Sequence, residues 1–192
     1  MADARKLFRL FKSLIEYKKI NEILGKADTM PMHKFVMALI VRVCFFCFWM
    51  LDHLVVLHKI KFTTQIDIKW VTHKWASFWL VANTVNIISS VTTLVELAKD
   101  EAKLVAQKRF QQSNCTQKAA DEFRQKEKDI AKKRFDAYLM IIKSLGDNIT
   151  ASAVSGYAKK WFNIDWNDGF IGCGGLTSAL ISCYNAYPAA KK

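Results

Sequence analysis

Four groups of residues in this 192-residue chain have types or spacings that could do chemistry. Cys44-Phe45-Phe46-Cys47 has the spacing of a metal-binding or redox pair, but it lies inside an apolar run with no second pair. Two small buried hydrophobes are the better reading. His53 and His58 stand five apart, a spacing that shares a helix face too poorly to bind a metal. The glycines from Gly169 to Gly175 precede no Lys-Ser/Thr and sit in an apolar stretch, so they are not a phosphate loop. Arg124 to Arg134 is basic enough for nucleic acid, yet no aromatic platform or base-reading motif accompanies it. No acid, base, nucleophile or metal cluster emerges, so no catalytic residue, cofactor or nucleic-acid partner is expected.

The composition points elsewhere. Lys and Arg number 29 against 17 Asp and Glu, a net charge of +12, while 52% of residues are hydrophobic and the mean hydropathy is +0.04. Apolar residues and charges must therefore be segregated into blocks, as in a membrane protein with basic flanks. The five cysteines, four of them within apolar runs, read as reduced and buried. No secretory signal opens the chain.

The elements follow from periodicity. Residues 4–24 predict an amphipathic helix. Leu7, Phe8, Leu10, Phe11, Leu14, Ile15 and Tyr17 fill one half of its circumference. Arg5, Arg9, Lys12, Ser13 and Glu16 fill the other, with Lys6 and Lys19 near the borders. Its clean part, about 13 residues or 20 Å, suits either an interfacial membrane helix with basic borders snorkelling to anionic headgroups or a helix docked on its own protein. Residues 35–57 form an apolar block broken by Arg42 and Asp52. It crosses a membrane only if those charges snorkel or pair with other helices. Residues 75–95 carry no charge but contain Asn83, Asn86, Ser90 and Thr93 on one helical stripe. That stripe is expected to face another helix, or alternatively to line a water-filled path. Residues 99–145 mix both signs of charge and predict a solvated helical segment, closed by a turn at Gly146-Asp147-Asn148. Residues 169–187 are again uncharged. Gly172, Gly175, Ala179, Ser182 and Ala186 form a small-residue seam, Trp161, Trp166, Tyr184 and Tyr187 suit the two interfaces, and this is the best single candidate span. The small seam and the polar stripe are possible partners of one another. The predicted fold is an all-α integral membrane protein. Its parts are an amphipathic basic helix (1–26), membrane-embedded helices (27–98), a charged helical segment (99–145), and a turn with a C-terminal membrane helix (146–192).

Several stretches, in order, resemble the peroxin-11 family of peroxisomal membrane-elongation proteins. Ala4-Arg5-Lys6-Leu7-Phe8-Arg9-Leu10-Phe11-Lys12 is similar to the family's first helix, with Phe11 in place of a glycine. Leu51-Asp52-His53-Leu54-Val55-Val56-Leu57-His58-Lys59 is similar to its second motif, with His53 for the usual Asn and Lys61 where a Gly is common. Trp70 and Trp75-Ala76-Ser77-Phe78-Trp79 match its aromatic-rich helix, and Phe170 to Ser178, running on to Tyr187-Pro188, its C-terminal span. The chain begins almost on the first motif, so the resemblance implies a short, divergent member without the usual N-terminal region. It also implies termini in the cytosol, self-association, recruitment of a dynamin-related fission GTPase and its adaptor, and a link to metabolite passage.

The expected function is therefore non-enzymatic membrane shaping at the peroxisome. Lys6, Arg9, Lys12 and Lys19 would meet anionic phospholipid, and Leu7, Leu10, Phe11 and Leu14 would form the wedge. Asn83, Asn86, Ser90, Thr93, Gly172, Gly175, Ala179 and Ser182 would pack helices within the chain or between copies. Two alternatives remain open from sequence. One is an accessory subunit of a large assembly in the mitochondrial inner membrane, such as a respiratory complex or ATP synthase. The other is a small-metabolite pore along the Asn83 stripe.

Overall fold

The structure, a computed structural model, describes residues 11–111 and 117–187. Among the described residues the chain is all-α. The order is α1 (Lys12–Leu24), a 3-10 turn (Ala27–Thr29), α2 (Met32–Lys59), α3 (Ile68–Gln111), α4 (Gln117–Ser155), the short α5 (Tyr157–Phe162) and α6 (Asp168–Ala186). Local chemistry marks the ends. The Asp67 carboxylate accepts from the backbone N–H groups of Lys69 (2.9 Å) and Trp70 (3.3 Å), capping α3. The Asn167 side chain accepts from Gly169 N (3.0 Å) and caps α6. Gly156 separates α4 from α5 at φ +71°, a conformation that costs glycine little.

Each long helix packs on the next in sequence, α1 on α2, α2 on α3, α3 on α4 and α4 on α6. The order is that of an open row of antiparallel helices. Lys34 pairs with Glu96 at one end of the α2–α3 contact, while Phe48 stacks on Trp75 (centroids 5.0 Å) further along. The α3–α4 register is fixed by Arg134–Glu101 (2.7 Å), Lys108–Glu127 (2.9 Å) and Asn148 Nδ2 donating to Thr84 Oγ1 (3.4 Å). Buried positions on α3 recur every seven residues, at Ala76, Asn83, Ser90, Leu97 and Leu104. On α4 they recur likewise at Phe123, Ala137, Ser144 and Ala151, with half-buried Ile130 completing the series. A repeat of seven is the seam of a left-handed helix pair. In this register Leu104 lies level with Ile130 and Leu97 with Ala137, while Ser90 lies level with Ser144 and Asn83 with Ala151. The apolar layers thus fall in the charged half of the hairpin, and the small and polar layers fall in its uncharged half.

That uncharged half is apolar on the outside instead. Val81, Ile88, Val91 and Val95 form an exposed stripe on α3, and Val36, Ile40, Val43 and Met50 form one on α2. Water would oppose such surfaces, whereas acyl chains match them. Two described helices are long and apolar enough to cross a bilayer, Met32–Lys59 with mean hydropathy 2.1 and Ile68–Phe110 with 1.5 over their most apolar stretches.

The structure redraws several sequence expectations. The boundary expected at residue 98 falls inside α3, which runs 44 residues, about 66 Å, from an uncharged half into a charged one. The turn expected at Gly146-Asp147-Asn148 is absent, because α4 continues through Gly146. α6, at 19 residues, is long enough for a span but falls short in hydropathy, as glycine, serine, threonine and asparagine dilute its apolar residues. The cysteines are not uniformly buried. Cys44 is buried and Cys47 half-buried, but Cys173 and Cys183 are exposed, all four being free thiols, and Cys115 lies outside the described residues.

Candidate membrane interface

Helix α1 docks by its polar side. Its two buried residues are Ser13 and Glu16. The Glu16 carboxylate accepts from Lys19 Nζ (2.7 Å) through one oxygen and from Arg42 Nη1 (3.2 Å) through the other. Lys12 Nζ sits 4.6 Å from the Trp49 ring centroid, and the Tyr17 and Phe46 rings lie 6.5 Å apart. Lys12 near the start of α1 meets Trp49, while Glu16 and Tyr17 meet Arg42 and Phe46 nearer the start of α2, so the two helices run antiparallel. The apolar side faces outward, with Phe11 69%, Leu14 62%, Ile15 54% and Tyr17 55% exposed. A helix docked on its own protein normally hides such residues; here the first turns of α1 are inverted, and only Ile20 and Ile23 further along are half-buried.

Of the eight residues expected to meet the membrane, Phe11 and Leu14 stand on this outward side. Lys12 is turned onto Trp49 and Lys19 onto Glu16, so both cations are engaged within the chain. Lys6, Leu7, Arg9 and Leu10 lie outside the described residues. The sequence places Glu16 in the polar half of the helix. Its partner Arg42 is 26 residues away, and only the oddity of an arginine inside an apolar block hinted at the pair.

The packing residues divide. Asn83 is 0% exposed and Ser90 is buried, while Asn86 and Thr93 are half-buried. Asn83 Nδ2 donates to Trp79 O (3.0 Å) and Thr93 Oγ1 to Ser89 O (2.9 Å), so helix carbonyls take much of this polarity. On α6 the face turned to α4 is Gly174, Ser178 and Ile181. Gly172, Ala179 and Ser182 are exposed, and Gly175 is half-buried near Thr150. α6 therefore meets α4 and not the Asn83 stripe of α3, and the expected partnership between that stripe and the small seam is not formed. The close approach is made by a pair of glycines. A methyl on Gly146 would lie 2.5 Å from the Gly174 carbonyl oxygen, and one on Gly174 would lie 2.8 Å from that of Gly146. Among the described residues no group of three or more His, Cys, Asp or Glu side chains could hold a metal ion.

Known proteins match this architecture in sequence. The profile of the family described as Peroxisomal biogenesis factor 11 (PEX11) matches residues 1–187. A peroxisomal membrane protein 11 homolog from Dictyostelium discoideum is 27% identical over 200 aligned positions, covering 97% of this chain and 74% of that protein. No solved structure matches. The chain belongs to the peroxisomal biogenesis factor 11 family and is an all-helical protein of the peroxisomal membrane.

Proposed function

We propose that this peroxisomal biogenesis factor shapes its membrane by setting the outward face of α1 among the acyl chains on one side of the bilayer. The observation that carries the reading is the inverted docking of α1, polar side on α2 and Phe11, Leu14 and Ile15 turned away from the protein. Three bulky apolar groups on one exposed face have a favourable place in lipid and none in water. The described helix is 13 residues long, or about 20 Å against a hydrocarbon core of about 30 Å. It lies beside the first part of α2, next to the Gly25–Pro31 turn, so it adds cross-section unequally to the two leaflets, and unequal area favours curvature.

The full chain, reconstituted into vesicles of phosphatidylcholine and phosphatidylserine, is expected to draw them into tubules. Each bulky apolar side chain contributes about 1.5–3 kcal/mol of burial, so Leu14→Glu with Ile15→Glu removes about 3 kcal/mol or more, on the order of a hundredfold in partitioning. Tubules should disappear with the double variant and persist with Lys18→Gln. Equal tubulation by the double variant would refute the reading.

A further inference from the structure

Arg42 is the one cation within the apolar run from Phe35 to Leu51. It lies ten residues past the start of α2, about 15 Å along the helix and close to half the thickness of a hydrocarbon core of about 30 Å. A guanidinium at that depth needs a counter-charge. Its carboxylate partner is not on α2 or α3 but on α1, whose Glu16 side chain is nearly buried and also accepts from Lys19. Ser13, on the same side of α1 one turn away, is buried with it. Further along the same side of α1, Ile20 and Ile23 are only half-buried. The bulky Phe11, Leu14 and Ile15 point outward, and the contacts of Lys12 with Trp49 and of Tyr17 with Phe46 lie at the rim.

We propose that Glu16 and Arg42 are a positioning pair that fixes both the depth and the rotation of α1, and so decides which side of that helix meets lipid. This rests on the reading that the outer face of α1 acts on the bilayer. If the pair is lost, α1 loses its ion pair with α2, and its apolar side is free to turn toward the protein or to slide toward the surface. Curvature then falls even though every wedge residue is still present. Reversing both charges re-forms the pair with opposite polarity and returns α1 to its place.

The test uses the full chain in phosphatidylcholine–phosphatidylserine vesicles with the photo-reactive analogue p-benzoylphenylalanine at Tyr17, a position that faces Phe46. Wild-type crosslinks should map to α2 around Phe46. Glu16→Gln should lower their yield by about tenfold, with helix content by circular dichroism unchanged. The exchange Glu16→Arg with Arg42→Glu should restore both crosslink and tubulation. Undiminished crosslinking in Glu16→Gln would overturn the proposal, and so would an exchange variant of native helix content in which neither readout returns. Should the exchange variant lose helix content, Arg42→Gln decides instead: a lost crosslink supports the pair, a retained one overturns it. A failure of the lipid reading looks different, because Leu14→Glu with Ile15→Glu would then leave tubulation intact while the crosslink still depended on Glu16.

Discussion

A methyl group added at Gly146 meets the Gly174 carbonyl at 2.5 Å, whereas one added at Gly172 meets nothing within 4 Å. Two glycines that look alike in sequence thus have opposite consequences. Gly146→Ala should push α4 and α6 apart and cost about 1–3 kcal/mol, seen as a lower unfolding midpoint in detergent. Gly172→Ala should be neutral or should stabilise by up to about 1 kcal/mol through helix propensity. Equal midpoints for the two variants would contradict the close contact. The sequence spacing of small residues named Gly172, Gly175, Ala179 and Ser182 as the seam. Small residues occur on more than one face of α6, and spacing alone cannot choose between faces. The neighbour chooses: Gly146, read as a turn residue, is the surface against which Gly174 fits. The Asn83 stripe was more legible, since a polar side chain in an uncharged helix has few low-energy places except against another helix.

Among the elements, the α3–α4 hairpin draws its stability from two kinds of layer. In the charged half, buried Leu97 and Leu104 lie level with Ala137 and Ile130, and the ion pairs Arg134–Glu101 and Lys108–Glu127 lie at its surface. Leu104→Ala should cost about 2–5 kcal/mol, while Glu101→Gln, which removes an exposed pair, should cost under about 1 kcal/mol. Hydrogen exchange of amides 97–108 and 123–134 measures both. A larger loss of protection in Glu101→Gln than in Leu104→Ala would show that charge, not the apolar seam, holds this half together. The helices themselves were readable from periodicity. Their boundaries were not, because composition changes at residue 98 while backbone geometry does not, and no breaker residue stands there.

At the scale of the whole molecule, an open row of antiparallel helices with apolar outer stripes makes a statement about sidedness. The Gly25–Pro31 turn and the charged half of the hairpin share one end, as the Lys34–Glu96 pair and the His33–Glu96 contact at 3.7 Å require. The loop between α2 and α3 and the α4–α5 junction share the other, where Ser77 Oγ donates to Tyr157 Oη at 3.3 Å. Trypsin added to intact peroxisomes should therefore cut at Arg124, Lys126 and Lys128 or at Lys61, but not at both sets. Cleavage of both without lysis would contradict two crossings. Class and membrane character were legible from segregated charge and hydropathy alone. The inversion of α1 was not, because an amphipathic pattern gives two faces without saying which one touches protein.

The most direct measurement is the environment of Leu14 compared with that of its neighbour Ser13. A diazirine analogue of leucine at position 14, in the full chain in phosphatidylcholine–phosphatidylserine vesicles, should form adducts with lipid acyl chains, and a small diazirine residue at position 13 should form adducts with α2. Adducts of position 14 with protein and of position 13 with lipid would mean that the apolar side of α1 faces inward, and that the helix does not act on the membrane through it.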